Sequence, residues 1–325
     1  MKITIQNSEY NVIDAKEKIT IADSFVVRSN KIGTGSGEAK LYIGNDNKEL
    51  RDFFGSPGFK NKCFILKKDL LSYMEENAAE YQNPTQIYQK PEQLPILWNE
   101  RIAKIEKLPE ILYFEISEQT QIAGPRVYIK SEEEPYELIR ELSLPNVSYI
   151  SIVKIEKFFD NQDGYYFRLF ADYFDEYENS FSIQKIEETI NNQTVDQTVR
   201  TSLIKARVGQ GEYRKKLLDL CPFCPISMVS DERVLIASHI KPWAKCDNLE
   251  KIDPLNGFML TPNYDLLFDR GFLSFTNDKK TILSPFLSNM TYSKLNISDG
   301  KLIANLPTEG RESYLEYHRN NILKK

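Results

Sequence analysis

The sequence predicts an α+β protein in two parts, on three observations. Strand-like and helix-like segments alternate through the first 180 residues, a polar stretch interrupts them, and a second pattern starts near Thr198. With 325 residues the chain is long enough for two cores. Strand character lies in the β-branched and aromatic runs KLYI (40–43), KCFIL (62–66), EILYFEIS (110–117), RVYIK (126–130) and YISIVKI (149–155). Amphipathic spacing marks helices at KKDLLSYMEENAAEY (67–81) and PYELIREL (135–142). One hairpin is clearer than the rest: runs 149–159 and 165–174 flank the turn residues Asn161-Gln162-Asp163-Gly164. Residues 181–197 have little apolar periodicity, which puts a domain at 1–182, a linker at 183–197 and a second domain at 198–325.

The formal net charge of -5 argues against a uniformly basic nucleic-acid binder, since phosphate contacts are made by Lys and Arg. The average hides an asymmetry. Residues 197–325 carry 19 Lys and Arg against 14 Asp and Glu, whereas residues 1–196 carry 23 against 33. The C-terminal part is therefore the expected phosphate-binding surface. The opening MKITIQNSEY lacks an apolar signal core and no run of about 18 apolar residues occurs, so a cytoplasmic protein is expected. Four cysteines, Cys63, Cys221, Cys224 and Cys246, are too few and too scattered for a disulfide framework.

Past Thr198, TSLIKARVGQGEYRKKLLDL starts as a helix, breaks at Gly209 and Gly211, and resumes with Tyr213, Leu217 and Leu218 turned inward. Next come a strand at VLIASHI, a loop at KPWAKCDNLEKIDPL, a strand at NGFML and a short helix at PNYDLLFDRG. That helix has Pro262 in its first turn and Gly271 past its end. Hydrolysing a phosphodiester needs a base for water, a cation against the phosphate charge and relief for the departing oxygen. His239 closes the first strand, and its ordinary titration range suits a base. Asp265 and Asp269, four apart, share a helix face and can converge on a hard cation. Asn256 opens the second strand.

The runs RVGQGEYRKKLLDLCPFCPIS, LIASHIKPWAKC, IDPLNGFMLTPNYDLLFDRGFLSF and YLEYHRNNIL resemble the HNH endonuclease family, in its restriction-type branch, over about residues 205–325. The resemblance implies a C-terminal ββα-metal nuclease domain after the N-terminal α+β domain. It implies that His239 activates water, that Asn256 braces the loop or positions the base, and that Asp265 and Asp269 hold the metal. Two departures bear on the ligand set: Ser238 stands where many relatives have a ligating Asp or His, and Asp265 replaces a His. Two carboxylates without a second imidazole favour Mg2+ or Mn2+.

Plainer roles stand beside these. Asn256-Gly257 also reads as a turn, and Asp269 as a partner for Arg270 or Arg233. Cys221-Pro-Phe-Cys224 is half of a zinc site, but no second pair follows, so structural Zn2+ is not expected. His318 is expected in packing or at the surface, and Trp243 as a loop anchor. Arg207, Arg214, Lys215, Lys216, Lys241 and Arg270 are either DNA phosphate contacts or a solvated basic face. Gly33-Thr34-Gly35-Ser36-Gly37 lacks the Gly-Lys-Ser/Thr of a phosphate loop. Tyr165, Tyr166 and Phe167 read as core.

The expectation is a metal-dependent endonuclease acting on double-stranded DNA, leaving a 5′ phosphate. Its N-terminal domain would choose specific or modified sites, and a homodimer or successive nicking would cut both strands. The rival is a DNA-binding regulator whose site has decayed, with Ser238 as its sign.

Overall fold

A computed structural model of the protein describes residues 1–34, 37–119, 124–172, 213–247 and 249–325. The expected linker 183–197, the helix start at Thr198, Gly209, Gly211 and Arg207 lie outside the described residues, as do Gly35 and Ser36. The chain divides into two compact units, Met1–Tyr173 with Pro285–Asn289, and Phe174–Ser284 with Met290–Lys325. Among the described residues no helix is long and apolar enough to cross a membrane.

The first unit is mixed α/β, built on an eight-stranded sheet. Its strands are β1 (Lys2–Ile5), β2 (Ser8–Thr20), β3 (Leu41–Asn45), β4 (Lys60–Leu66), β5 (Ile111–Gln119), β6 (Arg126–Lys130), β7 (Ser148–Phe159) and β8 (Gln162–Ala171). Their order is β1-β2-β7-β8-β4-β5-β6-β3. Every pairing is antiparallel except β4 with β8. Alternation along a strand sends residues i and i+2 to one face. Cys63 and Ile65, Leu112, Phe114 and Ile116, Ile150 and Ile152, and Tyr165, Phe167 and Leu169 accordingly share one core. Helices α1 (Lys48–Phe54), α2 (Lys67–Glu76), α3 (Ala78–Gln82), α4 (Leu94–Glu106) and α5 (Glu134–Leu142) add Phe53, Phe54, Leu70, Tyr73, Tyr81, Ile105, Tyr136 and Ile139 to it. On the other face Tyr166 stacks on Phe64 at 5.1 Å, and Phe286 meets Tyr166 at 5.5 Å and Phe170 at 5.1 Å.

Two local readings are corrected. The stretch 67–81 is two helices, because Asn77 turns its side-chain amide back on the Tyr73 carbonyl at 3.2 Å and leaves the helical backbone at ψ 7°. The hairpin turn sits earlier than expected, at Asp160-Asn161, both with positive φ (36° and 69°). Gly164 is a strand residue opposite Ile155. Beside it β7 bulges, with Lys157 at φ 50°, and Phe158 folds over the glycine. The Gly33 segment is closed by a carboxylate: Asp23 accepts the Ile32 and Gly33 amides at 2.6 and 3.0 Å.

The second unit contains a helix over 213–220 (α6), strands β9 (Ile236–His239) and β10 (Gly257–Leu260), and helix α7 (Pro262–Asp269). A hairpin of β11 (Leu273–Phe275) and β12 (Thr281–Leu283) and helix α8 (Glu312–Asn321) follow. β9 and β10 pair antiparallel, Gly257 opposite His239 and Phe258 opposite Ser238. Pro262 opens α7, where its missing N–H costs nothing, and Gly271 ends it at φ +69°, against the Ile322 carbonyl. Phe258, Phe268 and Phe275 form the aromatic centre.

A Cβ at Gly164 would stand 2.7 Å from that of Phe158. Gly164→Ala should therefore destabilise the protein by about 1–3 kcal/mol, read as a lower urea midpoint with an unchanged slope.

Candidate active site

β9 ends on two consecutive side chains that face opposite ways, as strand geometry requires. Ser238 faces α7, where its hydroxyl lies 3.5 Å from the Asp269 carboxylate and also bonds Asp265. The two acids are one turn apart on the same helix face, as their spacing predicts. Asp265 is buried, and its Oδ1 has no hydrogen-bond partner among the described residues. Burial pushes the Asp265 carboxyl up to about 6, against the lowering effect of Ser238. Asp269 is pushed well above the usual carboxylate range, by burial first and then by the neighbouring charge of Asp265.

The imidazole of His239 faces α6. It lies flat on the ring of Tyr213, centroids 4.1 Å apart and planes 13° from parallel. Its Nε2 is 3.2 Å from the Lys251 carbonyl. A carbonyl only accepts, so in the neutral ring Nε2 carries the proton and Nδ1 keeps the lone pair. Burial lowers its titration to about 4, partly offset by the Lys251 bond, so the ring is neutral at physiological pH. Among the described residues no hydrogen bond or ion pair joins His239 to Asp265 or Asp269. The structure thus brings together Ser238, Asp265 and Asp269 on one flank of β9, and His239 with Tyr213 and the Lys251 carbonyl on the other.

Asn256 is fully buried, and its side chain belongs to the loop that follows His239. Its Oδ1 accepts the Lys241 amide at 2.8 Å. Its Nδ2 donates to the Lys241 carbonyl at 3.3 Å, the Glu250 carbonyl at 3.1 Å and the Cys246 sulfur at 3.2 Å. It is a brace across the loop. Gly257 is glycine for close approach: a Cβ there would overlap the Tyr213 hydroxyl, which donates to the Asn256 carbonyl at 2.9 Å.

The expected phosphate contacts are differently placed. Arg214 donates to the carbonyls of Leu235 (2.9 Å) and Glu232 (2.6 Å), steadying the approach to β9. Lys241 is paired with both oxygens of Glu250 at 2.8 and 2.6 Å. Lys216 is exposed on α6, Arg270 is half-buried where α7 ends, and Arg207 lies outside the described residues. Trp243 carries the Lys251 ammonium over its ring at 4.2 Å. His318 is core: it stacks on Phe268 at 3.9 Å, and its two nitrogens engage Ser274 at 2.9 Å and the Phe268 carbonyl at 3.1 Å. Cys221, Cys224 and Cys246 are buried free thiols. Among the described residues no three His, Cys, Asp or Glu are grouped to hold a metal ion.

Three participants went unread in the sequence. Tyr213 was legible as an inward residue but not as the shelf under His239. The Lys251 carbonyl is backbone and leaves no signal. Arg311, buried, donates to the Gly257 carbonyl at 3.1 Å, and nothing in its surroundings marks that role.

A strand closing on a neutral imidazole, a braced loop, a second strand and a helix with paired acids form one strand–loop–strand–helix unit. Residues 224–276 match the family model described as HNH endonuclease, and this span runs from Cys224 through the end of β11. The C-terminal region therefore carries an HNH-type domain. No curated protein matches the chain.

The raised Asp265 carboxyl has a signed consequence. The unfolded chain ionises near 3.8 and the folded one near 6, so stability falls as pH rises between them and stays low above. In metal-free protein Asp265→Asn should remove that fall, giving about 1–3 kcal/mol more stability than wild type at pH 7 and no gain at pH 3.5. Melting curves of both proteins across that range measure the difference.

Proposed function

We propose that the protein is a metal-dependent DNA endonuclease whose cutting site lies around His239, Asp265 and Asp269. The observation that carries this reading is the acid pair of α7, Asp265 buried and Asp269 half-buried one turn away, with one Asp265 oxygen left without a partner among the described residues. Two buried like charges are costly unless protons or a cation neutralise them. Hard oxygen donors in that arrangement suit Mg2+ or Mn2+, held by Asp265 and Asp269 with the Ser238 hydroxyl close by. Such an ion supplies charge neutralisation for the phosphate and the departing 3′ oxygen.

The remaining work falls to the chain's own residues. His239 presents the Nδ1 lone pair to water because Lys251 holds its Nε2–H, and at neutral pH the ring is already in the form a base needs. Asn256 keeps the Lys251 carbonyl in place by bonding the loop at Lys241, Cys246 and Glu250. Attack of that water on phosphorus in line leaves a 5′ phosphate. Lys216 and Arg270 meet DNA phosphates, with Arg207, Arg214 and Lys241 as further cations. The N-terminal unit selects the site in a restriction-type enzyme of the cytoplasm, reading sequence or modified bases. Its support is a separate sheet and core, outside the family match, which the hydrolysis itself does not require. Two copies, or two successive nicks, cut both strands.

Incubation of supercoiled plasmid with the protein and Mg2+ or Mn2+ should give nicked and linear DNA, and EDTA should stop it. His239→Ala should lower the rate by about 10²–10⁴ with DNA affinity unchanged. At metal concentrations high enough to keep Asp265 and Asp269 ionised, a base that protonates only as pH falls through about 4 places the acid limb of the rate profile there rather than near 6.5. DNA binding without cleavage in either metal would point instead to a regulator with a decayed site.

A further inference from the structure

We infer that Tyr213 is a positioning residue for the base, holding the plane of the His239 imidazole so that Nδ1 faces one direction; this rests on the nuclease reading above. The Lys251 carbonyl fixes one edge of the ring, but a single hydrogen bond lets the plane roll about it. The parallel ring of Tyr213 removes that freedom. Stacking alone would tolerate a flip of the imidazole, and the Lys251 bond forbids it. Together the two contacts leave one orientation.

Tyr213 is itself held with little slack. Its ring is buried, and its hydroxyl donates to the carbonyl of Asn256, the residue whose side chain braces the loop bearing Lys251. Gly257 offers no Cβ to block this approach. Both contacts on the imidazole therefore refer back to Asn256, and any shift of that residue moves shelf and hydrogen bond together. His318 provides an internal comparison. It too lies flat on an aromatic ring, but both its nitrogens are engaged by the protein, as a purely structural histidine requires. His239 has the same stacking with one nitrogen engaged among the described residues, and the other is the atom the chemistry uses.

The test compares full-length wild type, Tyr213→Phe, Tyr213→Leu and His239→Ala in plasmid cleavage across pH, with DNA affinity measured separately by fluorescence anisotropy. Tyr213→Leu should lose about 10–100-fold in kcat, the cost of a slightly misplaced group, at unchanged KM and DNA affinity. Its acid limb should move up toward the ordinary histidine range as the ring is uncovered. Tyr213→Phe keeps the ring but loses the bond that anchors it, and should fall between wild type and Tyr213→Leu. A folded Tyr213→Leu with wild-type kcat and pH limb overturns the inference, as does a Tyr213→Phe as impaired as Tyr213→Leu, which would assign the effect to the hydroxyl. If Tyr213→Leu does not fold, proton NMR of the wild type decides. The His239 ring protons, identified by their loss in His239→Ala, should be shifted upfield by the facing ring, and unshifted resonances overturn the stack. Failure of the nuclease reading looks different: wild type does not cut, or His239→Ala cuts equally well, and both proposals fall.

Discussion

How closely α6 can approach the start of β10 is set by the missing side chain of Gly257, and much of the site depends on it. The space a Cβ would fill is occupied by the Tyr213 hydroxyl, with Leu217 and the Ser238 carbonyl at its margins. The Asn256 carbonyl accepts both that hydroxyl and the Ile240 amide, and the Gly257 carbonyl accepts the Arg311 guanidinium. One dipeptide thereby ties together α6, the end of β9, the segment before α8 and, through the Asn256 side chain, the loop 241–255. Among its described residues that loop holds a single short turn of helix, Trp243–Lys245, and a long irregular segment of this kind is ordinarily mobile. Here three of its backbone polar groups, the Lys241 amide and the Lys241 and Glu250 carbonyls, are satisfied by one buried amide, a brace that steadies the neighbouring Lys251 carbonyl.

The two flanks of β9 use burial to opposite ends. On the His239 side burial removes charge and keeps the ring neutral, the form the proposed base would need. On the α7 side burial works against charge that a cation would need, and the acids are held up by burial and by each other. Among the described residues only the Ser238 hydroxyl favours their ionised form. A cation entering between them would have to displace protons, so its affinity would be tied to pH more steeply than at a solvated carboxylate pair. Serine at 238 fits this balance. A third carboxylate there would add charge to a pair already hard to ionise, whereas a hydroxyl adds a donor without charge.

Much of the fold was legible because it rests on local pattern. Alternation placed β3 through β7 within a few residues, and the Pro262 and Gly271 signals bounded α7. What failed was chemistry that reads two ways. Asn161-Gln162-Asp163-Gly164 has the composition of a turn, yet Asp160-Asn161 turns and Gly164 exists to admit Phe158 across a bulge. Asn77 sits in an amphipathic run that spacing alone continues, and its side chain ends the helix by competing for a carbonyl. In one case a side-chain bond four residues back, in the other a packing contact across the hairpin, chose between local conformations of similar cost.

The site was legible in its residue types and not in their commitments. Two acids four apart and a histidine at a strand end follow from periodicity, and Asn256 emerged as a brace rather than a turn for a reason no spacing reveals: its four partners belong to one folded loop. The cations show the same limit from the other side. Arg214 and Lys241 look in sequence like Lys216, but one is spent on backbone carbonyls and the other on Glu250. A guanidinium that closes off the carbonyls leading into β9 contributes by keeping His239's strand in place, so its charge is a poor measure of its contact with DNA. Counting basic residues over a region therefore bounds the electrostatic field that attracts phosphate. Which side chains touch it is decided by what each is already holding.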